Sequence, residues 1–172
     1  MSGLTGSMRP RPTGWVEHMP QGRFIGLVVT CLLAALALED AVAIQGARPD
    51  FVVIALVYSA IRLGAAGGAA GGFGLGLFRD SLYLLDFGLH ALGMTAIGYV
   101  VGKARENLYL TTNGVDVLIL GGSKLALDIL VLGVAAGGAW ETFEQRFFWE
   151  APAAALYTAL LGAGLQRLFA RP

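Results

Sequence analysis

Cysteine is nearly absent from these 172 residues. Cys31 stands alone, which excludes an internal disulfide and any metal centre built on several thiolates. Histidine is almost as scarce, and His90 is the only one beyond the polar N-terminal stretch. Because a zinc site needs three or four ligands in fixed geometry, no metal is expected. Charge is thin as well. Asp, Glu, Lys and Arg make up 14% of the chain, against roughly 25% in soluble proteins, and 12 basic residues balance 12 acidic ones. No basic surface is available for nucleic acid, and no acidic tail for a cationic partner. Catalytic signatures are missing too: there is no His-Glu-x-x-His, no Gly-x-Ser-x-Gly and no phosphate-cradling loop ending in Gly-Lys-Ser/Thr. Gly121-Gly122-Ser123-Lys124 lacks that glycine-lysine order and lies within an apolar run. Neither enzyme activity nor a cofactor is expected.

What is present is apolar. With 56% hydrophobic residues and a mean hydropathy of +0.66, the chain reads as an all-α integral membrane protein with one domain, residues 23–172. Residues 1–22 are polar and broken by Pro10, Pro12 and Pro20, and are expected to form a disordered tail. This tail, the apolar run Phe24 to Leu38 and the triplet Ala41-Val42-Ala43 together imitate a cleaved secretion signal. Glu39 and Asp40 crowd the cleavage position, however, so the run is read as a retained anchor.

Four glycines recur at four-residue intervals, Gly64, Gly68, Gly72 and Gly76, in an uncharged stretch that ends at Asp80. In water each would cost a helix roughly 1 kcal/mol relative to alanine. In lipid the backbone has no water to turn to, so helix is nearly forced, and a ridge without side chains lets a second helix approach to backbone contact. The row is therefore expected to be a helix-packing seam, either within the bundle or against a partner. Gly98 with Gly102, and Gly133 with Gly137, repeat the spacing and suggest further seams.

Apolar spans of roughly 20 residues run over Arg23 to Ile44, Phe51 to Phe78, Phe87 to Val101, Val115 to Ala136 and Ala151 to Phe169. The second is too long for one crossing, and Arg62-Leu63-Gly64 puts a charge and a breaker near its middle. Splitting it into two short helices, Phe51 to Ile61 and Gly64 to Phe78, gives a compact bundle of six crossings; five is the alternative. Six crossings place Arg9, Arg11, Arg23, Arg62, Lys103, Arg105, Arg167 and Arg171 on one side and Arg48, Arg79 and Arg146 on the other. By the positive-inside rule both termini are then cytoplasmic. Acids including Glu39, Asp40, Asp50, Asp80, Asp86 and Glu150 gather on the outer side. Between the last two crossings, Trp140, Phe143 and Phe147 share one helical face, as an interfacial aromatic anchor would.

Two charge pairs stand at helical spacing. Lys124 and Asp128, four apart near the middle of a span, are expected to pair, since a lone charge there costs about 2.5–3.5 kcal/mol on insertion scales. Asp86 and His90 are also four apart and suggest a pH-sensitive contact, histidine titrating near neutrality.

From Arg48 to Lys103 the chain resembles the rod shape-determining MreD family. Arg48-Pro49-Asp50 opens an apolar helix. Gly72-Phe73 and Gly76-Leu77 precede Asp80, Gly88-Leu89-His90-Ala91-Leu92 follows, and Gly98-Tyr99 leads to a basic turn at Lys103. The resemblance implies a non-enzymatic subunit of the bacterial inner (cytoplasmic) membrane within the cell-elongation machinery. It would bind the bitopic protein MreC and help couple MreB filaments to peptidoglycan synthesis by a RodA-type glycosyltransferase and a class B penicillin-binding transpeptidase. It also implies a fold similar to the substrate-binding subunits of energy-coupling-factor transporters. Under the alternative of a solute carrier, Glu39, Asp40, Lys124 and Asp128 would line a cavity, although fold analogy does not carry transport with it.

Overall fold

The computed structural model describes residues 19–39, 41–43, 48–82, 88–107, 113–135 and 150–169. Among these are five α-helices and no strand: α1 (Gln21–Leu38), α2 (Phe51–Leu82), α3 (Leu89–Asn107), α4 (Asn113–Ala135) and α5 (Ala151–Phe169). Three segments, Gln21–Leu38, Phe51–Leu82 and Val115–Val134, are long and apolar enough to cross a membrane. That is fewer than the hydropathy reading expected, because α3 and α5 fall short of the same measure. Polar ends lower their hydropathy, Lys103 to Asn107 in α3 and Gln166-Arg167 in α5.

The helix count also differs from the expected six, for a reason visible at Gly64. The second and third expected helices are one element, α2, with no loop between them, and Gly64 interrupts it with φ 74° and ψ −171°. This region of backbone space is essentially confined to glycine. The interruption reverses the chain. Were α2 straight, Asp50 and Arg79 would stand about 44 Å apart at 1.5 Å per residue, yet Arg79 Nη1 lies 2.8 Å from Asp50 Oδ1. Likewise a Cβ on Gly68 would sit 2.9 Å from that of Ala60. Residues 51–63 and 65–82 are thus two antiparallel arms of a hairpin hinged at a single residue.

The first arm runs through the centre of the bundle. Phe51 to Ile61 are all buried, as the unbroken apolar run Phe51-Val52-Val53-Ile54-Ala55-Leu56-Val57 requires; a helix hydrophobic on every side has no solvent face. Its neighbours hold it by polar contacts toward the Gly64 end. Tyr58 donates its hydroxyl to the Gly162 carbonyl of α5 at 2.9 Å. Arg62 donates to the Met19 carbonyl at 3.0 Å and stacks over the Phe24 ring of α1 at 4.4 Å, a cation–π contact. α1 itself offers one narrow stripe, Leu27, Cys31 and Ala35, to the core.

The second arm packs antiparallel on α3 through bare backbone. A Cβ on Gly76 would come within 2.3 Å of Ala91 Cα, on Gly72 within 2.2 Å of the Met94 carbonyl oxygen, and on Gly68 within 2.3 Å of the Gly98 oxygen. A Cβ on Gly102 would meet the Gly64 carbonyl carbon at 2.5 Å. Gly98 and Gly102 are therefore not a seam of their own but the opposite wall of the first one. Gly133 has open space around it, so no close-packed seam forms there among the described residues, and Gly137 lies outside them.

Candidate functional site: a charged layer beside a cleft

Polar side chains gather at the end of the hairpin away from Gly64. The first arm begins one residue after Asp50, which caps it: Asp50 Oδ1 accepts the Val53 N–H at 3.1 Å, the bond an N-cap carboxylate makes to the third residue of a helix. Buried Pro49 leads the chain into this cap, and the Asp50 N–H donates to Thr158 Oγ1 of α5 at 3.0 Å. The arm is short, about 20 Å at 1.5 Å per residue, against the roughly 30 Å of a hydrocarbon core. Asp50 consequently lies level with the middle of α4, and it is 1% exposed.

A carboxylate so placed needs cations, and two distant elements supply them. Arg79, from the second arm, donates to Asp50 Oδ1 at 2.8 Å and to Glu39 Oε1 at 3.3 Å. Lys124 of α4 brings its Nζ to 3.6 Å from Asp50 Oδ2 and hydrogen-bonds Asp128 one turn on. The sequence pair Lys124–Asp128 is thus real but not isolated; it is one end of a chain of alternating charge running Asp128, Lys124, Asp50, Arg79, Glu39. Burial raises the Glu39 carboxyl at the end of α1, and Arg79 only partly opposes it.

Asp80 forms a second polar centre. Fully buried, its carboxylate accepts the backbone N–H groups of Gly88 at 2.9 Å, His90 at 3.2 Å and Ala91 at 3.0 Å, so one helix supplies the anionic cap for the first turn of the next. The His90 ring, through Nδ1, is 2.9 Å from the same carboxylate. Gly88 turns the chain into α3 with φ 95°, a conformation side chains disfavour. His90 therefore pairs with Asp80; the Asp86 of the sequence pairing lies outside the described residues, as do Trp140, Phe143 and Phe147.

Beside the charged layer a cleft of about 500 Å³ separates α4 from α5. Lys124 and Asp128 line it together with Val131, Ala154, Arg48 and Glu150. Sequence reasoning found Lys124 and Asp128 by their spacing but missed Arg79, whose two partners sit 29 and 40 residues away. Its only local signal was position, next to Asp80 at the end of a glycine row. Among the described residues no group of three or more His, Cys, Asp and Glu side chains is arranged to hold a metal ion.

Residues 22–169 match the family described as rod shape-determining protein MreD. No curated protein matches the chain, and no solved structure does. The match spans the described bundle, from α1 to the end of α5. This chain, helical and carrying segments fit to cross a membrane, therefore belongs to the MreD family of cell-shape-determining membrane proteins.

Proposed function

We propose that the protein is a non-enzymatic scaffold of the bacterial inner membrane. It crosses six times with both termini in the cytoplasm, and it binds the bitopic subunit MreC to help couple MreB filaments to peptidoglycan synthases. The hairpin at Gly64 supports six crossings, because each arm of α2 runs the opposite way and the chain alternates direction at every later helix. Membership of a shape-determining family supports a role inside the rod-shape machinery, and a bundle held by packing and paired charge suits a part that orients others.

One observation carries the scaffold reading: the glycine row is consumed inside the chain. With Gly68, Gly72 and Gly76 closed against α3 backbone, the seam makes a rigid unit and leaves other faces for a partner. α1 turns Ile25, Val29, Leu33 and Leu36 outward, and α4 turns out Ile129, Gly133 and Val134. The aromatic stretch at Trp140, Phe143 and Phe147 adds an interfacial anchor in this reading. Copurification of the tagged protein with MreC followed by mass analysis tests it: a stoichiometric bitopic partner is the expected result, and a stable lone subunit with MreC present would overturn it. The carrier alternative draws on the cleft at Lys124 and Asp128. A vitamin-like solute that raised the melting temperature in proportion to dose would favour that alternative.

A further inference from the structure

Among the described residues the charged layer holds more carboxyl groups than cations. Among the described residues, the connected carboxylates of Glu39, Asp50 and Asp128 face the cations Arg79 and Lys124, and the cleft mouth adds one residue of each sign, Arg48 and Glu150. Burying a net charge is costly unless something compensates it. The deficit is also localised. Asp50 Oδ2 has no hydrogen-bond partner although the residue is 1% exposed, and the nearest cation, Lys124 Nζ, is held 3.6 Å away by its bond to Asp128. One lysine is thus shared by two carboxylates and hydrogen-bonds only one. Of the three acids in the chain of charge, Asp128 alone lines the cleft, and its side chain is 17% exposed.

From this arrangement we infer that the cleft between α4 and α5 binds a primary ammonium group, which hydrogen-bonds Asp128 and releases Lys124 to Asp50 Oδ2. The geometry gives each step a reason. An ammonium ion carries three N–H donors and supplies a further positive charge. Lys124 needs to move by well under its own side-chain length to come within hydrogen-bond distance of Asp50. The orphaned oxygen of Asp50 is then satisfied, and desolvated charge-assisted hydrogen bonds of this type are the stronger ones. No bond is made or broken in the ligand. Val131 and Ala154 beside the charges accommodate a short alkyl group, and about 500 Å³ lies within the range of small-ligand sites. Occupancy also reaches the hairpin, since Asp50 caps its first arm and Arg79 belongs to its second.

The ammonium group has two possible sources, a free small amine or the ethanolamine headgroup of a phospholipid, and the test separates them. Purified full-length protein is titrated with ethylammonium chloride, and with tetramethylammonium chloride at equal ionic strength as a cation without N–H donors. The expected result is a saturable rise in melting temperature with the first and none with the second. In parallel, the protein in nanodiscs of phosphatidylethanolamine should melt higher than in phosphatidylcholine, whose headgroup nitrogen has no hydrogen to donate, if the lipid is the source. Either selective response supports the site, and its absence from both arms overturns it. Asp128→Asn should abolish the response. Should that variant not fold, Leu132→Trp, which fills the cleft from its wall and leaves every charge in place, should abolish it equally. A response surviving in whichever variant folds would overturn the assignment. Copurification with MreC reads the partner directly, so the amine titration can fail while the partner reading stands, and the reverse.

Discussion

The seam between α2 and α3 and the charged layer at the other end of the same hairpin arms hold the bundle by opposite means. In the seam no side chain intervenes: backbone meets backbone, and affinity comes from many weak contacts at close range. In the layer, side chains from α1, α2 and α4 reach across several ångströms to share charge. The first is a matter of shape and admits no added atom. The second is a matter of balance, and it admits rearrangement because a lysine or arginine can change partners. A rigid joint and an adjustable one thus sit within one hairpin.

The largest effect should come from closing the seam to its partner. Gly72→Leu places a side chain where even a Cβ would lie 2.2 Å from the Met94 oxygen, and overpacking of that degree costs about 3 kcal/mol or more. Loss of a monodisperse peak in gel filtration is the expected readout, and a variant that elutes and melts like the parent would dissolve the contrast. Next comes the hinge. Gly64→Ala must hold φ 74°, a strain of about 1–3 kcal/mol, seen as a lower melting temperature with the fold retained.

Smaller again is the effect within the charged layer. Lys124→Ala strands Asp128 and leaves Asp50 to Arg79 alone, whereas Asp128→Ala leaves Lys124 to Asp50, so the lysine variant should melt lower. The difference should be about 1 kcal/mol, in keeping with polar pairs measured between membrane helices. A double variant whose loss equals the sum of the two single losses would show that Lys124 and Asp128 are not coupled. The smallest effect sharpens the comparison most: Gly71→Ala, one residue from the seam, meets nothing within 4 Å and should change the melting temperature by less than Gly64→Ala does.

How far each region could be read in advance follows from the range of its interactions. The glycine row was legible because a period of four along the chain is a local property, and a bare ridge at that spacing has one structural use in lipid. Its counterpart was half legible: Gly98 and Gly102 showed the same spacing, yet nothing local says that two ridges face each other and not two separate neighbours. Gly64 was readable as a breaker. That the break reverses the chain follows only from contacts such as Ala60 with Gly68. In the layer, Lys124 with Asp128 was found by helical spacing, but Asp50 as the second claimant on Lys124, and Arg79 as the link to Glu39, were not. His90 shows the same limit, since nothing within one turn of helix points to Asp80 on the preceding helix, which its ring meets.

By itself the sequence determined residence in a membrane, helical structure and the existence of a ridge without side chains, because each depends on composition or on a repeat within one turn of helix. Tertiary structure alone decided what the ridge faces, that α2 folds back at Gly64, and that three carboxylates divide two cations. Those outcomes depend on which segments lie side by side once hydrocarbon forces backbone and charge to find partners within the chain.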